Sequence, residues 1–190
     1  MLRLFVALSL PDPVKTQIAP IKFGLPGARW IDQENLHLTI RFIGEVEDTY
    51  AEDIHYSLSK LRFKAFPIRL KGIDTFRSRN MVRSVWAGIK PSTQLKALQT
   101  KIATNLVSVG VAPETRKFTP HVTLARLKRA PLAKVFPYLE ANAGFETQPF
   151  EVFQVLLFRS HLGSRGAAYE ALAAYPENIW TNLKAFHILN

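Results

Sequence analysis

Cysteine is absent from the sequence. Disulfide bonds, thiolate metal sites and cysteine nucleophiles are therefore excluded, and folding does not depend on an oxidising compartment. No stretch approaches the ~20 consecutive apolar residues that a membrane-spanning helix requires. The apolar run from Leu4 to Leu10 meets Pro11-Asp12-Pro13 without a small-residue cleavage pattern, which indicates a buried first strand rather than a signal peptide. We therefore expect a cytoplasmic protein with no membrane partner.

Motifs of several competing chemistries are also missing. The sequence contains no Gly-x-Ser-x-Gly elbow, no phosphate-cradling Gly-x-x-x-x-Gly-Lys and no His-Glu-x-x-His pair. Acidic residues are fewer than basic ones: the sequence has 15 Asp and Glu and 25 Lys and Arg, which gives a formal charge of +10. The basic residues are spread along the chain. This charge favours a polyanionic partner such as nucleic acid, although a merely soluble basic surface fits it equally well.

What the sequence does contain is an apolar core and a repeated order of segments. Hydrophobic residues make up 47% of its 190 residues, enough to bury a sizeable core. Strand-like alternation over 28–46 and 116–127 is followed each time by a helical pattern and another strand-like stretch, and a further helix is predicted over 92–109. We expect residues 1–190 to form one α+β domain. It would consist of two pseudo-symmetric lobes, each a largely antiparallel sheet with outer helices, around a central cleft.

The same four-residue motif, His-apolar-Thr-apolar, occurs at 37–40 and at 121–124. On a strand, residues two apart face the same side, so the His and the Thr of each motif project together. A neutral imidazole can take a proton from an attacking water while a charged one protonates a leaving oxygen, and the hydroxyls can hold a phosphate. A single copy would be weak evidence, since an isolated histidine is more often structural. Two copies at equivalent places favour a metal-independent phosphoesterase.

Here the chain resembles the two-histidine phosphoesterases, in particular the bacterial and archaeal RNA 2′,3′-cyclic phosphodiesterases once called 2′-5′ RNA ligases. The resemblance covers nearly the whole chain and rests on RLFVALSLP, NLHLTIRFIGEV, VWAGI, FTPHVTLAR and LFRSHLGSRGAAYEAL. It implies that His37, Thr39, His121 and Thr123 form the catalytic set, with no metal and no cofactor. It also implies that His37 is the proton donor and His121 the acceptor, whereas the repeat alone leaves either histidine eligible for either role.

Two arginines are candidates for substrate binding. Arg126, which closes the second motif, resembles a substrate-contacting position, but strict alternation places it on the face opposite His121, so the strand must bend or the side chain must reach around. Arg41 has the correct parity after His37 and is the candidate suggested by alternation alone, although a solvated arginine at a strand end fits the pattern equally well. Phe42, Trp30 and Phe118 are candidates for stacking on a base, although aromatic residues beside strands more often belong to the core.

The resemblance implies that the reaction is hydrolysis of a terminal 2′,3′-cyclic phosphate on RNA, tRNA fragments among the candidate substrates, to leave a 2′-phosphate. Two alternatives stay open: reversible 2′-5′ RNA ligation in the same site, and a non-catalytic nucleotide- or RNA-binding module. We expect a monomer. The basic residues Arg77, Arg79 and Arg83 are candidates for contacts to the RNA backbone beyond the reacting phosphate.

Overall fold

The computed structural model describes residues 1–163 and 166–176. The helices are α1 (Asp12–Ile18), α2 (Asp48–Ser59), α3 (Thr93–Ser108) and α4 (Leu132–Ala141). The strands are β1 (Leu2–Ser9), β2 (Arg29–Trp30), β3 (His37–Val46), β4 (Phe66–Ile68), β5 (Leu70–Ser78), β6 (Met81–Ile89), β7 (His121–Pro131), β8 (Phe150–Val152), β9 (Val155–Gly163) and β10 (Gly166–Tyr175).

The principal sheet is antiparallel and has the strand order β10-β9-β1-β3-β7-β6-β5, with the short β2 also paired to β7. Its two central strands, β3 and β7, are joined by a single residue pair, Leu38 opposite Val122. The sheet therefore consists of two halves that meet at one point. The remaining strands, β4 and β8, form a separate antiparallel pair. The expected α+β fold with two antiparallel lobes is confirmed.

The chain order repeats as predicted, but the repeats exchange strands. Apart from the short β2 and the final β10, the first repeat runs β1-α1-β3-α2-β4-β5 and the second runs β6-α3-β7-α4-β8-β9. The last strand of each repeat pairs with the first strand of the other, because β5 pairs with β6 and β9 pairs with β1. Each half-sheet is consequently completed by a strand from the opposite repeat.

Helix α3 shows how local sequence produces these elements. Ser92 caps its N-terminus by accepting a hydrogen bond from the Leu95 amide at 3.1 Å, which satisfies one of the free donors of the first turn. Its apolar stripe is buried in the main core, and a smaller core lies between β6, β7 and α4. Within 1–163 and 166–176, no helix is long and apolar enough to cross a membrane.

Candidate active site

The two motifs lie at the beginnings of the central strands, β3 and β7. Leu38 and Val122 are fully buried and form the pair that joins the half-sheets. Because the residues on either side of a buried strand position face the other way, each motif presents its histidine and threonine on the face away from that pair. All four side chains line one cleft of about 340 Å³.

The two imidazoles are held in the same way. His37 Nδ1 donates to the main-chain carbonyl of Asn35 at 2.7 Å, and His121 Nδ1 donates to that of Thr119, also at 2.7 Å. A carbonyl oxygen only accepts, so each Nδ1 carries a hydrogen. In the neutral ring Nε2 is then the nitrogen with a free lone pair, and in the charged ring Nε2 carries the second proton. Each histidine therefore has one nitrogen available for proton transfer.

Aromatic rings enclose both histidines. The His37 ring lies 5.1 Å from Phe5 and 4.9 Å from Tyr169, measured between centroids. The His121 ring lies 4.7 Å from Phe76 in an edge-to-face arrangement and 5.7 Å from Trp86. These contacts fix the orientation of each imidazole and remove much of its surface from water.

Burial lowers the pKa of both histidines. For His37, desolvation is the largest cause; the hydrogen bond to Asn35 acts in the opposite direction, and the charges of His121 and Arg126 lower the pKa further. For His121, desolvation lowers the pKa and the hydrogen bond to Thr119 partly offsets it. Both groups thus favour the neutral ring more than a histidine in water does.

A β-bulge follows each motif. Thr39 and Arg41 pair with consecutive residues of β1, which leaves Ile40 unpaired, and Thr123 and Ala125 pair with consecutive residues of β6, which leaves Leu124 unpaired. A bulge puts two neighbouring residues against one and reverses the alternation beyond it. The residue five positions after each histidine therefore returns to the cleft.

The bulges determine which of the two candidate arginines reaches the cleft. Arg126 lines the cleft with Phe42, which occupies the equivalent place after the first motif. The sequence analysis left two ways for Arg126 to reach the cleft, a bend in the strand or a side chain that reaches around. The structure shows the bend. Arg41 is instead 6% exposed, its Nη2 donates to the Ala112 carbonyl, and its Nη1 lies 3.5 Å from Glu114 Oε2. The structure corrects the prediction for Arg41, which failed because strict alternation stops at the bulge.

Several cleft residues were missed by sequence reasoning. They include Phe5, Asn35, Phe76, Ser84 and Tyr169. Phe5, Asn35 and Tyr169 lie inside the stretches on which the resemblance rests, but nothing in those stretches singled them out as cleft residues. Phe76 and Ser84 belong to β5 and β6, far from either motif in sequence. Of the aromatic candidates, Phe42 reaches the cleft, and the Arg3 guanidinium lies over its ring, 5.2 Å from the centroid. Trp30 instead packs 5.9 Å from Tyr138 and joins the core.

The remaining histidines lie outside the cleft or outside the described residues. His55 Nδ1 and the Tyr175 hydroxyl are 2.6 Å apart, and His161 Nε2 lies 2.8 Å from Glu170 Oε2. His187 falls outside the described residues. Across 1–163 and 166–176, no group of three or more His, Cys, Asp or Glu side chains is placed to hold a metal ion.

Sequence similarity to known proteins gives the family of the chain. The family model described as the 2′-5′ RNA ligase superfamily matches residues 10–163. The chain belongs to this superfamily. Relatives named RNA 2′,3′-cyclic phosphodiesterase include one from Aeropyrum pernix, 35% identical over 78% of this chain and 85% of the relative. Another, from Methanocaldococcus jannaschii, is 31% identical over 90% of this chain and 98% of the relative.

Solved structures place the fold in the same superfamily. Escherichia coli LigT complexed with 3′-AMP is 25% identical to the chain, with a TM-score of 0.73, and the match covers 92% of this chain and 97% of LigT. The same protein in its apo form has a TM-score of 0.74. The superfamily fold thus extends across nearly the whole chain.

Proposed function

We propose that the protein hydrolyses terminal 2′,3′-cyclic phosphates of RNA to 2′-phosphates. The observation that carries the proposal is the pair of histidines in one cleft, each with Nδ1 bonded to a main-chain carbonyl and Nε2 available. Binding alone requires no such matched pair. The names of the relatives support the same activity.

In the proposed reaction the water oxygen attacks phosphorus and the bond from phosphorus to O3′ breaks. His121 Nε2 accepts a proton from the water, and His37 Nε2 gives its proton to O3′, so the products are a 2′-phosphomonoester and a 3′-hydroxyl. The assignment of His37 as acid and His121 as base follows the family resemblance. The next turnover requires the two imidazoles to exchange protons with solvent.

The remaining cleft residues suit a phosphate ester. The Thr39 and Thr123 hydroxyls can donate to the non-bridging oxygens, and the Arg126 guanidinium can balance the charge that develops in the transition state. Phe42 has one ring face toward Arg3 and is 43% exposed, which leaves apolar surface for a base. This acid–base chemistry needs neither a metal nor a cofactor. We propose that the protein acts as a monomer on RNA ends, tRNA fragments among them.

The test is an assay of EDTA-treated protein with an oligoribonucleotide ending in a 2′,3′-cyclic phosphate, followed by identification of the product isomer. We expect a 2′-phosphate and no effect of the chelator. A 3′-phosphate product would contradict the proposed bond cleavage. Loss of activity in EDTA with recovery on zinc or manganese would contradict the metal-free mechanism. Absence of turnover would favour the binding module, and joining of added RNA with a 5′-hydroxyl end would reveal 2′-5′ ligation.

A further inference from the structure

A second, larger depression adjoins the cleft on its His121 side. We call it the α3 groove; its volume is about 1290 Å³. One wall is a stripe of α3 from Lys96 to Val107, about 17 Å long at 1.5 Å per residue. The other walls are β5 with β6 and the segment 113–120. Small-molecule sites typically measure about 300–1,000 Å³, so the groove is larger than one small ligand requires.

The groove and the cleft adjoin each other at Trp86 and Thr119. Trp86 lines the groove and also contacts the His121 ring. Thr119, whose carbonyl orients His121, lines the groove as well. On the sheet, Asp74, Trp86 and Thr123 are paired in one row across β5, β6 and β7. A ligand that leaves the reacting phosphate on the His121 side therefore meets the groove as the neighbouring depression.

The chemistry of the groove fits a single nucleic-acid strand. Trp86 and Phe118 are half-buried rings in its lining, and sequence-tolerant binding of single strands relies on such rings together with cations. Lys96 and Lys117 lie on different walls and are exposed. Neither has an ion-pair partner among the described residues. By contrast, Lys71 and Arg116 of the same groove pair with Glu146 and Glu114.

We propose that the α3 groove binds the RNA strand on the 5′ side of the terminal cyclic phosphate, with Lys96 and Lys117 contacting backbone phosphates. This inference rests on the proposed function. A terminal cyclic phosphate is the 3′ end of the RNA, so the rest of the strand leaves the cleft in one direction only. The rival path leads along β5 and β6 in the other direction, past Phe76 to the hairpin tip. There Arg77, Arg79 and Arg83 are exposed.

The first test is charge reversal. Lys96→Glu/Lys117→Glu is compared with Lys64→Glu/Lys134→Glu, which changes the net charge equally at exposed lysines that line neither the groove nor the cleft. The measurement is kcat/KM as a function of salt for an octaribonucleotide and for a mononucleotide, both with 2′,3′-cyclic phosphates. The groove variant should lose about tenfold on the octamer at low salt. Its logarithmic salt slope should flatten by about 1.4, or 0.7 for each lost contact.

On the mononucleotide, the groove variant should stay within about twofold of wild type. The control variant should keep the wild-type octamer slope, since a general electrostatic field would affect both variants alike. Equal effects of the two variants on the octamer would overturn the groove proposal. So would flattening by Arg77→Ser/Arg79→Ser/Arg83→Ser but not by the groove variant, since this result would place the RNA at the hairpin.

The second test is steric and does not depend on charge. Thr100 lines the groove, whereas Ala97, also exposed on α3, does not. Thr100→Trp should weaken binding of an octamer that ends in a 2′-phosphate by about tenfold in fluorescence anisotropy, and Ala97→Trp should leave it unchanged. Equal affinities would overturn the groove proposal even if catalysis stands. Turnover of neither cyclic phosphate by wild type would instead overturn the proposed function, while anisotropy still decides whether the groove binds RNA.

Discussion

At the scale of single residues, the two histidines are equivalent in how they are held. Each imidazole is fixed through Nδ1 by the carbonyl two residues earlier. If both transfer protons, His37→Ala and His121→Ala should each lower kcat by roughly 10²–10⁴-fold while the unfolding midpoint changes little. Thr39→Ala and Thr123→Ala should cost less, because a hydroxyl only helps to hold the phosphate. Near-normal turnover by either histidine variant would contradict paired catalysis.

The lowered pKa values predict the pH dependence. An unperturbed histidine has a pKa of about 6.5. Because the pKa of both histidines is lowered, the base becomes protonated only at a lower pH than this, and the acid also loses its proton at a lower pH. The bell-shaped profile of kcat/KM should therefore be centred below about pH 6.5. If His37 is the acid, His37→Ala should abolish the decline at high pH, and His121→Ala should abolish the decline at low pH. The opposite pattern would exchange the two roles.

Arg126 offers a direct check of the electrostatics. Its positive charge lowers the pKa of His37. Arg126→Ala should therefore raise the pKa of His37 in a titration of the free protein by NMR. A drop in the pKa of His37, or no change, would mean that Arg126 does not face this imidazole.

At the scale of secondary structure elements, β3 and β7 each contain a bulge, but Arg41 of β3 is buried away from the cleft whereas Arg126 of β7 lines it. Arg41 ties β3 to the segment before β7 through Ala112 and Glu114. Arg41→Ala should thus lower the free energy of unfolding by about 1.5–3 kcal/mol, since the hydrogen bond from the buried guanidinium to the Ala112 carbonyl is lost, and change kcat/KM only a few-fold. Arg126→Ala should do the reverse, with a raised KM and a stability change within about 0.5 kcal/mol. Urea denaturation and steady-state kinetics on both variants would expose any exchange of roles.

The same elements show what sequence alone can predict. Helix α3 was expected over 92–109 and spans Thr93–Ser108, because the spacing of apolar residues is a local signal. Both motifs were found because each contains its whole pattern within four residues. The sequence did not predict the bulges after Thr39 and Thr123. Whether a strand residue is left unpaired depends on the register of its partner strand, which is distant in sequence. Tyr169 beside His37 escaped for a similar reason: its place depends on long-range pairing of β9 with β1.

At the scale of the whole molecule, exchange of β5 and β9 makes the repeats interdependent. Neither half-sheet contains all its strands without the other repeat, and the main core includes residues from both, such as Ile54 of α2 and Ile102 of α3. We therefore propose that 1–190 is one bilobal domain rather than two. The cleft between the motifs then depends on both repeats being folded at once, since Leu38 and Val122 come from different repeats.

One cooperative unit should unfold in one step. In urea, far-ultraviolet circular dichroism and tryptophan fluorescence should report coincident transitions. Ile54→Ala and Ile102→Ala remove fully buried side chains from opposite repeats, and each should cost about 2–5 kcal/mol. Because the repeats share strands, each variant should move both probes to the same lower midpoint with an unchanged slope of free energy against urea. Two separated transitions, with Ile54→Ala moving one and Ile102→Ala the other, would show that the repeats fold as independent domains despite the exchanged strands.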